Sequence, residues 1–215
     1  MFVDTHCHLT MLDLSLYNGD LDQALAQARL AGVSKFMGIS VDLDDHIQLA
    51  EIASRHDDVG YSVGVHPCED TDTMARATTD YLIQLAQDDK VWALGETGLD
   101  YYHIADFIAE QKQCFARHIQ ASKIVKKPVV VHTRAAKHDT VDIIQAEQST
   151  HGILHCFTED WETAKAVLDC GYYISFSGII SFKNAQDLRD VAKKVPLDRV
   201  LIETDSPYLA PMPYR

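Results

Sequence analysis

Short apolar runs with strand character alternate along this chain with segments whose apolar residues recur at helical spacing. The runs predict strands over residues 1–6, 35–40, 60–66, 91–96, 128–132, 152–155, 172–177 and 199–204. Val129-Val130-Val131 and Val200-Leu201-Ile202 do not alternate with polar residues, as expected of parallel strands covered on both faces. Between them, Leu21, Ala24, Leu25 and Ala28 follow an i, i+3, i+4, i+7 pattern, with Gly32 placed to end the helix. Leu188, Val191, Ala192 and Val195 repeat that spacing, and helical segments are expected near 43–56, 78–88, 110–125, 140–148 and 161–169. Alternating strands and helices with short connections predict one α/β domain over residues 1–215, built as a (β/α)₈ barrel. An open doubly wound sheet is the alternative, but eight parallel strands in so short a chain favour closure. No helical segment follows the eighth strand within residue 215. An apolar strip is therefore expected beside residues 1–6 and 199–204, to be covered by a second copy or by a further segment of chain.

Composition adds limits. Hydrophobic residues make up 47% and charged residues 24%, which suits a water-soluble core-bearing domain. The first residues carry no secretory signal, since Asp4, His6 and His8 interrupt them, and no run is long enough to cross a bilayer. Five cysteines with no CxxC pair argue against a disulfide framework or zinc ribbon and for a reducing, cytoplasmic setting. No feature calls for an obligate protein partner. A net charge of −13 excludes a broad basic surface for nucleic acid, so an anionic substrate must be gripped locally.

The candidate chemistry lies where the strands end. His6 and His8 form an HxH pair, whose side chains share one face of a strand. Glu96, His132, His155 and Asp205 directly follow the apolar runs of the fourth, fifth, sixth and eighth strands. The carboxyl ends of barrel strands are where active sites are built, and six buried ligand-type residues without partners would cost several kcal/mol. Taken together they predict a centre for two divalent cations (zinc, manganese or magnesium), with Glu96 shared between a His6, His8, Asp205 group and a His132, His155 group.

The segments Val3-Asp4-Thr5-His6-Cys7-His8-Leu9, Gly64-Val65-His66-Pro67, Gly95-Glu96-Thr97-Gly98-Leu99-Asp100-Tyr101-Tyr102, Val131-His132-Thr133-Arg134, His155-Cys156-Phe157 and Glu203-Thr204-Asp205-Ser206-Pro207 resemble the TatD family of metal-dependent hydrolases, and its YcfH-like bacterial members in particular. The likeness runs from Met1 to Arg215. It implies an amidohydrolase-type barrel and a deoxyribonuclease with 3′-to-5′ exonuclease action, and relatives of this kind continue past the last strand.

On that reading a hydroxide bridging the cations attacks phosphorus, with Asp205 as general base and Glu96 as the shared ligand. Arg134, His66 and Glu203 are the candidate substrate-binding residues. Glu203 could alternatively orient a histidine, Arg134 could be a surface ion pair, and His66 could stabilise the turn before Pro67. Tyr101 and Tyr102 could stack a base or pack a loop. Cys7 and Cys156 should point away from the centre. His46, His56, His103, His118, His138 and His151 are read as solvated, and Lys126 and Lys127 as lying on the opposite face of the barrel. Two other functions stay open: a two-metal hydrolase of a small ester, amide or phosphoester, and a binding module that keeps the fold without catalysis.

Overall fold

A computed structural model describes residues 1–214. Its eight strands are β1 (Phe2–Cys7), β2 (Val33–Gly38), β3 (Val59–Val63), β4 (Val91–Asp100), β5 (Val129–Arg134), β6 (Gly152–Leu154), β7 (Tyr173–Phe176) and β8 (Val200–Ile202). All neighbours are parallel and lie in sequence order. The helices are α1 (Leu21–Leu30), α2 (Asp45–Arg55), α3 (Thr71–Arg76), α4 (Thr79–Leu85), α5 (Ile108–Val125), α6 (Lys137–Ala146), α7 (Trp161–Asp169) and α8 (Gln186–Ala192). The β3–β4 connection therefore carries two short helices where the periodicity predicts one. Each is started by its own cap: Asp70 accepts the Thr73 N–H and Thr78 accepts the Tyr81 N–H.

The strands close into a barrel through a seam between β1 and the segment after β8. The Asp205 N–H donates to the His6 carbonyl at 2.9 Å and the His8 N–H to the Ser206 carbonyl at 2.8 Å. Asp4 clasps the same seam, accepting the Thr204 N–H at 3.0 Å and the Thr204 hydroxyl at 2.6 Å. Beside it Phe2 and Ile202 are exposed, in the two segments where an apolar strip is expected.

Inside the barrel, Met37, Ile39, Ala93, Val130 and Ile153 form a small apolar plug, while Val129 and Val131 face outward against the helices. Alternation from Val130 aims His132 inward, above the plug. Glu96 does not follow from alternation, because Ala93 already points inward. The register between β4 and β5 slips between Leu94 and Thr97, and this extra residue turns Glu96 to the interior. A similar slip between Asp4 and Cys7 aims His6 inward and leaves Cys7 among the outer core residues.

β4 and β5 both run further than their apolar runs predict. Thr97–Asp100 pair with Val131–Arg134, so Glu96 and His132 sit within strands rather than at their ends. The close approach requires Gly98, at φ +135°, where a Cβ would fall 2.0 Å from the His132 carbonyl oxygen. Gln111 of α5 secures the extension: its amide accepts the Asp100 N–H at 2.9 Å and donates to the Asp100 carbonyl at 3.2 Å.

Two histidine readings are corrected here. His118 is fully buried, because it shares the inward face of α5 with Cys114, Phe115 and Ile119. Its Nε2 accepts the Val65 N–H at 3.2 Å and its Nδ1 donates to the Cys114 carbonyl at 2.8 Å, so the ring is held neutral. Burial pushes it down to about 4 from an ordinary 6.5. Below pH 6.5 the unfolded chain takes up a proton that the folded chain refuses, so stability falls as pH drops from 6.5 to about 4. The whole effect is on the order of 3 kcal/mol. Urea midpoints across that window should fall more steeply for the parent chain than for His118→Gln. Parallel curves would contradict the assignment. His56 is also largely covered, and its Nε2 lies 3.0 Å from Asp22.

Candidate metal centre

The mouth of the barrel gathers five histidines around one carboxylate. Oε2 of Glu96 lies 3.2 Å from His6 Nε2 and 4.0 Å from His8 Nε2. Oε1 lies 2.7 Å from His155 Nε2, 3.2 Å from His132 Nδ1 and 3.4 Å from His66 Nε2. Asp205 Oδ1 completes the first group, 3.6 Å from His6 Nε2 and 3.4 Å from His8 Nε2. The six predicted ligands are thus brought together, and the two oxygens of Glu96 face the two predicted groups.

Within each group ring nitrogens face one another. His6 Nε2 and His8 Nε2 are 3.4 Å apart, and so are His155 Nε2 and His132 Nδ1. A proton between two imidazole nitrogens serves only one pair, whereas each group also crowds carboxylate oxygens against the same point. Electron-pair donors converging in this way fit a divalent cation of imidazole and carboxylate preference. His6, His8, Glu96, His155 and Asp205 are all buried.

Electrostatics agree with a site built for positive charge. Burial alone would raise the Glu96 carboxyl, yet His155, His66 and His6 hold it well below the usual carboxylate range. Burial likewise opposes charging of His155, but Glu96 and Glu203 raise it well above its ordinary value. Asp205 is buried too, and the His8 contact with the charges of His155 and His6 keeps it low. The backbone of Asp205 adopts φ +57°, a left-handed conformation that aspartate tolerates better than most side chains.

The sequence profile described as TatD related DNase matches residues 3–215. The chain belongs to this family. As a TatD-family chain it is 46% identical over 215 residues to YcfH of Escherichia coli strain K12, named an uncharacterized metal-dependent hydrolase, covering 99% of this chain and 80% of that one. YabD of Bacillus subtilis strain 168, named in the same way, is 34% identical over 217 residues, covering 100% and 84%. The crystal structure of YjjV, a TatD homologue from E. coli K12, aligns with a TM-score of 0.85 at 25% identity over 97% of this chain and 80% of that one. A phosphotriesterase homology protein from E. coli, solved with phosphate in its active site, shares the fold at a TM-score of 0.69 and 16% identity, over 95% of this chain and 81% of that one.

The remaining predicted residues divide. Arg134 is exposed, its guanidinium resting 5.0 Å from the centre of the exposed Tyr102 ring, and it makes no ion pair among the described residues. Tyr101 instead packs its loop, donating its hydroxyl to Asp139 at 2.7 Å. His66 borders Glu96, and burial lowers its basicity. Its Nδ1 also accepts the Cys68 N–H at 3.1 Å, so the turn-stabilising contact is present as well. Glu203 is turned inward. Its Oε1 accepts the Cys156 N–H at 2.6 Å, its Oε2 accepts the Ser175 hydroxyl at 2.6 Å, and His155 Nδ1 lies 3.5 Å away. Cys7 faces the outer core, donating to the Met37 carbonyl, while Cys156 Sγ lies 3.1 Å from the Ser177 hydroxyl. Lys127 Nζ reaches the Ala86 and Asp88 carbonyls near the amino ends of the strands, on the face away from the centre.

Asp100 escapes the sequence reading. It is fully buried at the end of β4 and lies 3.1 Å from His132 Nε2, which leaves His132 Nδ1 turned toward Glu96. A carboxylate behind a histidine fixes its ring orientation in this way. The cue was the continuation Leu99-Asp100 after Gly98, past the apparent end of the strand.

Proposed function

We propose that this chain is a divalent-metal-dependent hydrolase of phosphodiesters, acting as a deoxyribonuclease with 3′-to-5′ exonuclease character. The observation carrying this reading is the opposed placement of the two Glu96 oxygens, with His6, His8 and Asp205 on one side and His132 and His155 on the other. In this account those six residues hold two cations, which when bound supply Lewis-acid stabilisation of a phosphoryl oxygen and acidify a water. The choice of DNA rests on the family description, TatD related DNase, alone.

The protein groups have separate tasks. Asp205, ionised and beside the first group, accepts the proton of the attacking water. Asp100 and Glu203 orient His132 and His155, a role that suits Glu203 better than substrate contact because its oxygens are already engaged. Arg134 binds a phosphate on the mouth with both arms of its fork, and Tyr102 beneath it offers a face to a terminal base. His66 lies where it can contact a phosphate near Glu96.

Lys137 is tied to Asp160, which leaves Arg134 and the exposed Lys183 as the rim cations without an ion pair among the described residues. Two bound cations would offset only four of thirteen net negative charges. Few phosphates are therefore neutralised, which favours a strand end over a long duplex. The slope of log K against log salt for a single strand should be about −1 to −1.5. Arg134→Ala should raise KM about 10- to 100-fold with little change in circular dichroism. An unchanged KM would remove Arg134 from the substrate site.

The test of the function is release of nucleotides from labelled single-stranded DNA by stripped and metal-restored protein, beside a panel of esters, amides and small phosphoesters. Metal-dependent release from the DNA supports this reading. Turnover confined to small substrates favours the second hydrolase reading, and inertness toward every substrate favours a binding module. Five free cysteines fit action in a reducing cytoplasm.

A further inference from the structure

We propose that Cys68, Asp100 and His103 form a further cation site, for a thiophilic divalent ion such as zinc, on the outer side of His132. None of the three belongs to the six residues assigned to the two-cation centre, although Asp100 Oδ2 also faces His132, so the two sites adjoin through that carboxylate. Cys68 lies in the loop after β3, Asp100 ends β4, and His103 follows in the next turn. One ligand-type atom from each lies within 4.8 Å of the other two.

The backbone presets the site. Asp100 is buried, and its Oδ1 accepts the N–H groups of Tyr102 at 3.0 Å and His103 at 2.8 Å, which fixes the carboxylate plane. Oδ2 is left facing His103 Nδ1 at 2.8 Å and His132 Nε2 at 3.1 Å. The His103 side chain is 58% exposed, so an ion can enter from solvent without opening the barrel. A tetrahedral zinc with arms of roughly 2.0–2.1 Å holds nitrogen and oxygen ligands roughly 3.3 Å apart. The His103–Asp100 separation has to widen by only a few tenths of an ångström to admit one.

Ligand chemistry selects the ion. One sulfur, one imidazole and one carboxylate suit zinc or cobalt and are poor partners for magnesium or calcium. Water would fill the fourth position. On binding, the Cys68 S–H bond breaks and its proton leaves to solvent as the sulfur–metal bond forms. The His103 proton moves from Nδ1 to Nε2, freeing Nδ1 as the ligand, so each ion bound releases one proton.

Cobalt titration of the full chain, stripped of metal, tests the proposal through the thiolate-to-cobalt charge-transfer absorption in the near ultraviolet. Beyond the equivalents taken by the two-cation centre, one further equivalent should bring up this band, and magnesium should not compete for it. Cys68→Ser should abolish the band and leave the other equivalents in place. His103→Ala, at an exposed position that cannot compromise the core, should weaken the band-forming equivalent about 10- to 100-fold. No band at cobalt saturation, a band that survives Cys68→Ser, or one indifferent to His103→Ala would overturn the proposal. The two-cation centre contains no sulfur ligand, so loss of its equivalents would count against that reading alone.

Discussion

Glu96→Ala should abolish turnover, by about 10³-fold or more, and lower metal occupancy in the same preparation. One carboxylate faces both histidine groups, with Oε2 toward His6 and His8 and Oε1 toward His132 and His155. Removing it takes a ligand from each group at once and leaves the buried imidazoles facing one another without the one carboxylate they share. The fold should survive, because the plug of Met37, Ile39, Ala93, Val130 and Ile153 lies beneath the site and contains none of these residues. Circular dichroism and metal analysis on the same sample check both halves. Turnover near the parent rate would refute a shared carboxylate.

Asp205→Asn should separate holding a cation from moving a proton. The amide keeps an oxygen near His6 and His8, which lie 3.6 and 3.4 Å from the present carboxylate, but it accepts no proton. Turnover should drop about 10²- to 10⁴-fold while KM and metal stoichiometry change little. Because its surroundings keep Asp205 below the ordinary carboxylate range, the parent chain has the base form available throughout neutral pH. The acid limb of the rate profile assigned to this group should vanish in the variant. A kcat within tenfold of the parent would leave Asp205 as a ligand only.

How far these residues were legible depends on the local backbone. His132 could be read from the sequence because it directly follows the apolar run Val129-Val130-Val131, and the regular pleat of that strand, with Val130 inside and Val129 and Val131 outside, then aims it inward. The inward aim of Glu96 comes from a slipped register between Leu94 and Thr97, for which Gly95 is the only local hint. Asp100 was missed because β4 continues past the apolar run, and what sustains it is a distant partner, Gln111 of α5. The same cause hid His118: a polar residue on a helix reads as solvated until its buried acceptor and donor, the Val65 N–H and the Cys114 carbonyl, are known. Asp4 belongs with these, since its partner Thr204 lies 200 residues away.

The most direct measurement is anomalous diffraction from crystals loaded with manganese or zinc. The account predicts two peaks at the carboxyl ends of the strands, roughly 3.5–4 Å apart, with one Glu96 oxygen on each. The first should touch His6, His8 and Asp205, and the second His132 and His155. A single peak, or two peaks with Glu96 bound to neither or to only one, would contradict the shared two-cation centre.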